Sequence, residues 1–158
     1  MKIGVISDTH GHIHPGAFDC LKGVDLILHA GDVGSDSVLV ELETLAPVKA
    51  VSGNTDSFPL TSRLKEKEII TVAGIKLYLT HRFIERGLTL PPVMNDIHRE
   101  KPDIVVFGHT HQQHAEQLYG IFFFNPGAVG YRRPGTRTGV GLLKLENGKI
   151  SHKIFYLE

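Results

Sequence analysis

Apolar residues along this chain gather in short runs that stop abruptly at glycine, asparagine or aspartate. KIGVIS, DLILHA and PVKAVS are the first three, rich in β-branched and aliphatic residues with little polar alternation. Such runs predict strands buried on both faces. Between them the pattern changes period. Pro15 to Gly23 reads as helical, and so does Ser35 to Leu45, where Val38, Leu39 and Leu42 recur at helical spacing behind the capping oxygens of Ser35 and Asp36. The first half therefore reads βαβαβ.

The later pattern is different. EIITV and IKLYLT flank Ala73-Gly74 as a hairpin, Leu90 to Glu100 is predicted helical after Pro91 and Pro92, and DIVVFG is a further strand. HAEQLYG and IFFFN then flank Gly120, while VGLLKLE and KISHKIFYL flank Asn147-Gly148, the strongest short hairpin signal in the chain. Parallel βαβ units followed by antiparallel hairpins predict an α/β fold of two sheets packed face to face with helices outside. A single doubly wound mixed sheet fits the same order of elements.

Composition narrows the reading. A chain of 158 residues with 41% hydrophobic content suits one domain spanning 1–158. Lys plus Arg and Asp plus Glu both number 17, so no global field favours an extended nucleic acid or an anionic membrane as partner. Cys20 is alone and can form no intrachain disulfide, which suits a reducing compartment and makes the cytoplasm the expected location. The run Ile3 to Ile6 is too short for a signal-peptide core, and no segment reaches membrane-spanning length. Exposed sheet edges make a homodimer the expected assembly. Ten histidines in a chain without tryptophan or a polyhistidine tract ask for a chemical reason.

That reason lies at the strand ends. KIGVIS runs into Asp8-Thr9-His10, DLILHA into Gly31-Asp32, PVKAVS into Gly53-Asn54-Thr55-Asp56, IKLYLT into His81, and DIVVF into Gly108-His109-Thr110-His111. Loops at the carboxyl ends of parallel strands converge on one crevice, so residues distant in sequence can meet there. On a locally extended backbone, residues two apart point the same way, which would aim Asp8 with His10, and His109 with His111, at one centre. Aspartate and histidine together suit Mn, Fe, Co, Ni or Zn better than Mg or Ca. Singly, each element also reads as an ordinary turn or cap; their coincidence at successive strand ends is what carries the chemistry.

Asp8-x-His10, Gly31-Asp32, Gly53-Asn54, His81 and Gly108-His109-x-His111 resemble the ordered signature of the calcineurin-like metallophosphoesterases over nearly the whole chain. The compact form is similar to the small bacterial and archaeal phosphodiesterases of that superfamily, which share their fold with the retromer scaffold subunit; Asn125-Pro126-Gly127 resembles their late Asn-Pro-Gly turn. The resemblance implies a four-layer αββα sandwich and two divalent metal ions, manganese first, with iron, nickel or zinc as alternatives. It implies one ion on Asp8, His10, Asp32 and His111 and another on Asp32, Asn54, His81 and His109, with Asp32 bridging. Two ions about 3.5–4 Å apart can share a hydroxide and stabilise charge during in-line displacement at phosphorus. The expected activity is hydrolysis of small phosphodiesters, with Asp32, Asn54 and His81 at the heart of the reaction.

The chain departs from the family pattern in two places. The position after Gly53-Asn54, where many protein phosphatases of the superfamily have histidine, is Thr55, a poor proton donor that favours easily expelled leaving groups. Small relatives tend to read His-Gly-His where this chain has His81-Arg82-Phe83; Arg82 is a candidate phosphate clamp or a solvated arginine. Thr55, Arg82 and Asn125 are thus candidate substrate contacts, while His12, His14, His29 and the loop bearing Arg132, Arg133 and Arg137 read equally as structural. Two other functions use the same fold: a metal-binding interaction scaffold, and a nuclease or cyclic-nucleotide phosphodiesterase.

Overall fold

The computed structural model describes residues 1–158. Twelve strands and four helices follow in the order β1 (Lys2–Ile6), α1 (Gly16–Leu21), β2 (Leu26–His29), α2 (Asp36–Glu43), β3 (Val48–Ala50), α3 (Leu60–Arg63), β4 (Lys67–Val72), β5 (Ile75–Thr80), β6 (Ile84–Glu85), β7 (Leu88–Thr89), α4 (Pro91–Glu100), β8 (Ile104–Val106), β9 (His114–Leu118), β10 (Ile121–Asn125), β11 (Thr138–Glu146) and β12 (Lys149–Leu157). They build two five-stranded mixed sheets, ordered β12-β11-β1-β2-β3 and β4-β5-β8-β10-β9, with β6 and β7 forming a small separate ribbon. The expectation of two packed sheets holds, and the single doubly wound sheet is excluded.

Side-chain alternation explains the layering, because successive residues of a strand face opposite sides. Ile3, Val5, Leu26 and Leu28 of the first sheet meet Leu77, Leu79, Ile104, Val106, Phe122 and Phe124 of the second in the central core. The intervening residues face outward. Ile6 and Ile27 pack beneath Ala17, Leu21, Leu39 and Leu42 of α1 and α2, while Tyr78, Val105 and Phe123 pack beneath Ile97 of α4. Layers therefore run helix, sheet, sheet, helix. Each fully buried Leu, Ile or Phe in these layers contributes about 1.5–3 kcal/mol relative to exposure, which is why the central strands lack polar alternation.

Within each sheet the three parallel strands deliver the loops of interest. β1, β2 and β3 are parallel neighbours, as are β5, β8 and β10. The antiparallel strands join through tight turns at Ala73-Gly74, Tyr119-Gly120 and Asn147-Gly148, with positive φ at both residues of each pair, the conformation that two-residue hairpins require. Helix α2 begins where expected, with the Ser35 hydroxyl accepting a hydrogen bond from Ser37 N. The short α3 and the β6–β7 ribbon have no counterpart in the hydrophobic pattern, since elements of this length carry no readable period.

Candidate metal centre

Every candidate ligand leaves the carboxyl end of a parallel strand. Asp8 and His10 follow β1, Asp32 follows β2, Asn54 follows β3, His81 follows β5, and His109 and His111 follow β8. Asp8, Asp32, His81 and His111 are buried, whereas Asn54 is exposed and His10 and His109 are partly so, which leaves one side of the cluster open to solvent. Asp8, His10 and His111 offer ligand atoms all within 4.8 Å of one another, and so do Asp8, Asp32 and His81. The seven expected ligands are brought together.

The backbone route differs from the expected one. Asp8, His10, Asp32, His109 and His111 adopt left-handed conformations, with φ of 55°, 46°, 53°, 73° and 59°. The residues two apart share a direction through these tight turns and not through extended backbone. Left-handed geometry costs about 1–2 kcal/mol per non-glycine residue and gathers where function needs a special geometry. Neighbouring glycines make the crowding tolerable. A Cβ on Gly31, itself at φ +94°, would lie 2.6 Å from the Cβ of His81, and one on Gly108 would overlap the Ser7 hydroxyl.

Hydrogen bonding then fixes which atoms face inward. His81 Nδ1 lies 2.7 Å from the Ala30 carbonyl oxygen; a carbonyl only accepts, so Nδ1 carries the proton. The Nε2 of the same ring faces three further acceptor oxygens, Asp32 Oδ2 at 3.2 Å, Asn54 Oδ1 at 3.0 Å and Asp8 Oδ1 at 3.9 Å, so it stands where either a proton or a cation must sit. The two carboxylates have no proton to offer. Across the centre, His111 Nε2 stands 3.2 Å from Asp8 Oδ1, and His10 Nε2 stands 3.9 Å from Asp8 Oδ1 and 3.7 Å from Asp32 Oδ2. Asp8 Oδ1, His10 Nε2 and His111 Nδ1 are buried without any hydrogen-bond partner.

Buried polar atoms left without a partner are costly unless a proton or a cation joins them. The donor set thus fits the divalent ions implied by the resemblance. The same field acts on protons. Burial disfavours charge on His81, yet Asp32 and Asp8 outweigh it and raise its pKa, while burial likewise opposes ionisation of Asp32 but the His81 ring and the Thr55 N–H hold its carboxyl well below the usual range. Asp8 is lowered too, against its burial, by His111, His81 and Ser7. Both aspartates are therefore anionic and ready to bind metal.

Asp32 Oδ2 faces His10 on one side and His81 on the other, the position that a bridging carboxylate requires, and its Oδ1 accepts from Thr55 N at 2.9 Å. Thr55 thus acts here through its backbone. Asp8 holds a comparably central place, because its Oδ1 faces His10, His81 and His111. Its Oδ2 is held by Ser7 Oγ at 2.6 Å and His109 N at 3.1 Å.

Other candidates fall outside the ligand cluster. Asn125, a candidate substrate contact, is fully buried, and its amide donates to Gly108 O and Thr110 Oγ1 while its Oδ1 accepts from Gly127 N, bonds that shape the His109 loop. Arg82 pairs with Glu85, which compensates its charge. Asp56, read as a metal-type residue, instead accepts from the backbone N–H groups of Val33, Gly34 and Gly53 and ties two ligand loops together. His29 accepts from Gly31 N and contacts Thr9 Oγ1 at 2.9 Å, and burial pushes its pKa down to about 4, so it is a neutral brace behind the centre. His12 stacks on Tyr131, and His14 contacts the Glu158 carbonyl. Ser7 and Glu85 went unread in the sequence, because a serine in a strand and a glutamate in a ribbon carry no motif.

A model of the calcineurin-like phosphoesterase superfamily domain matches residues 1–148. The chain belongs to the calcineurin-like phosphoesterase superfamily. Among members of this superfamily, a probable metallophosphoesterase of Methanothermobacter thermautotrophicus is 37% identical over 98% of this chain and 91% of its own length. An archaeal phosphodiesterase of known structure is 25% identical and superposes with a TM-score of 0.80, covering 99% of this chain and 100% of that one. Zinc-complexed Vps29 of Entamoeba histolytica shares the fold at 23% identity with a TM-score of 0.77, covering 99% of each chain. Membership makes the chain a phosphoesterase hydrolase of a family that uses divalent metal ions, and Asp8, His10 and His111, with Asp8, Asp32 and His81, form groups that could hold such an ion.

Proposed function

We propose that the protein is a phosphodiesterase acting on small phosphodiesters at two divalent cations, manganese first, with iron, nickel or zinc as alternatives. Asp8, His10, Asp32 and His111 would hold one ion, and Asp32, Asn54, His81 and His109 the other. When bound, such a pair supplies Lewis acidity toward phosphoryl oxygens and lowers the pKa of water at the site. The single observation that carries this reading is the convergence of His81 Nε2 with the Asp32 and Asp8 carboxylates.

The chain's own groups set the rest of the chemistry. Ala30 O holds the His81 ring in one tautomer, and Thr55 N fixes the Asp32 carboxylate, so neither must reorganise during reaction. Thr55 supplies no acidic proton for a departing alcohol, which favours diesters with stable leaving groups. Beside Asn54 and His81 lies an open, mostly polar cavity of about 290 Å³ whose walls include Lys67, Thr80, Arg82 and Val93, room for a small ester substituent. The lone Cys20, which can form no intrachain disulfide, supports a reducing, cytoplasmic site of action.

The test is turnover by chelator-stripped protein reloaded with each metal in turn. Bis-p-nitrophenyl phosphate should be hydrolysed with manganese, and faster than the monoester p-nitrophenyl phosphate. Monoester preference would overturn the diester assignment. Absence of turnover with all four metals would favour the scaffold function instead.

A further inference from the structure

The cavity beside Asn54 and His81 has polar groups that the ligand cluster does not use. Thr80, the last residue of β5, and Ser52, two residues past the end of β3, are both more than nine-tenths buried and stand in its walls. Alternation along β5 sends Leu77 and Leu79 into the central core and Tyr78 and Thr80 to the opposite face. There Tyr78 Oη donates to Asp96 Oδ2 at 2.7 Å, and Lys67, the register partner of Thr80, donates to the same oxygen at 2.6 Å. The Thr80 and Ser52 hydroxyls are left over: neither takes part in any hydrogen bond of the chain, and neither belongs with the sealed unpartnered atoms Asp8 Oδ1, His10 Nε2 and His111 Nδ1. Two free hydroxyls thus reach open space in the wall of a cavity that adjoins two ligands.

We propose that this cavity seats a neutral, hydroxyl-bearing ester substituent, a short polyol or sugar, and that Thr80 and Ser52 are the residues that select it. Charge excludes the alternatives at one end of the polarity scale. Both lysine and arginine in the wall are already neutralised, Lys67 by Asp96 and Arg82 by Glu85, and the one acid left over is the exposed Glu66. A second phosphate or a carboxylate would find no spare cation there and a nearby anion. At the other end, an alkyl or aryl group would cover both hydroxyls and leave them without partners, an unfavourable exchange. A hydroxyl both donates and accepts, so it pairs with another hydroxyl in either sense. The inference rests on the proposed phosphodiesterase reading and names the substrate class of that site. The seated alcohol is the one retained on phosphorus, because Thr55 supplies no acidic proton and the departing group must be stable by itself, which a polyol alkoxide is not.

The experiment uses the full chain loaded with manganese and two diesters that share a leaving group, p-nitrophenyl glyceryl phosphate and p-nitrophenyl ethyl phosphate, each rate corrected for the spontaneous reaction. The ratio of kcat/KM should favour the glyceryl ester by about tenfold, and Thr80→Val and Ser52→Ala should each reduce that ratio by about 3–10-fold, the worth of one hydrogen bond, chiefly through KM. Thr80→Val should also resist urea at least as well as the parent, since the hydroxyl it loses has no partner in the chain. A ratio near one in the parent, or a ratio unchanged in both folded variants, would overturn the proposal. Should neither diester turn over with any of the four metals, the phosphodiesterase reading fails by itself, and titration with glycerol 1-phosphate and ethyl phosphate judges the cavity. A preference of the parent for glycerol 1-phosphate that Thr80→Val loses sustains the selection of a polyol; equal affinity, or no binding of either, overturns it.

Discussion

Around Asp8, His10 and His111, three buried polar atoms go without partners, whereas His81 has the Ala30 carbonyl behind the nitrogen that faces away from the centre. The first half of the site holds unpaired polar atoms within a buried space; the second is braced from behind at His81. Unpaired buried polar atoms lower the stability of the empty protein, and a braced ring reduces the reorganisation that binding requires. The two halves consequently favour metal binding by different physical routes, relief of an unfavourable state on one side and preorganisation on the other. Asp32 touches both.

The largest test of this contrast is Asp32→Ala. Removing the shared carboxylate should abolish hydrolysis of bis-p-nitrophenyl phosphate while circular dichroism remains native, because the side chain lies outside the three apolar clusters. Retained turnover would dismiss its bridging role. Next comes the brace behind the first half. His29 has a folded pKa of about 4 against an unfolded value of 6.5, so the unfolded chain binds the extra proton. Stability is therefore full above pH 6.5 and declines by on the order of 3 kcal/mol as pH falls toward 4. Urea unfolding of the metal-free protein across that window should show the decline, and folded His29→Gln should lack most of it.

Metal addition sharpens the comparison at a smaller scale. Manganese at a hundred times its dissociation constant should stabilise the protein by about 2.7 kcal/mol per site, read as a rise of several degrees in Tm that chelator reverses. The smallest effect concerns Asp8, whose anion His111, His81 and Ser7 stabilise against its burial. Asp8→Asn removes that charge, so the metal-free variant should be less stable than the parent by about 1–2 kcal/mol as well as inactive. A metal-free Asp8→Asn at least as stable as the parent in urea would show that these neighbours do not favour the anion.

Much of the centre was legible because its residues stand where apolar runs end. Asp8, Asp32, Asn54, His81 and His109 each follow a strand within a few positions, and burial of those strands on both faces made the runs conspicuous. The β6–β7 ribbon was not legible, since pairs as short as Ile84–Glu85 and Leu88–Thr89 have no period to read. Glu85 was hidden with it. The engagement of Asp56 and Asn125 with backbone groups was hidden for another reason: residue type reveals what a side chain can donate or accept, but only its neighbours reveal whether that capacity is already engaged.

By itself the sequence determined the strands, the order of the ligands and the chemical class of their atoms, because strand burial and donor type are properties of the residues and their immediate neighbours. Tertiary structure alone decided that the carboxyl ends of the parallel strands of both sheets meet, that left-handed turns at Asp8, His10, His109 and His111 aim the side chains, and that the Ala30 carbonyl orients the His81 ring. Those outcomes depend on contacts between segments as far apart as Asp8 and His109, where the distance between two atoms is set by the packing of the whole core and by no local pattern.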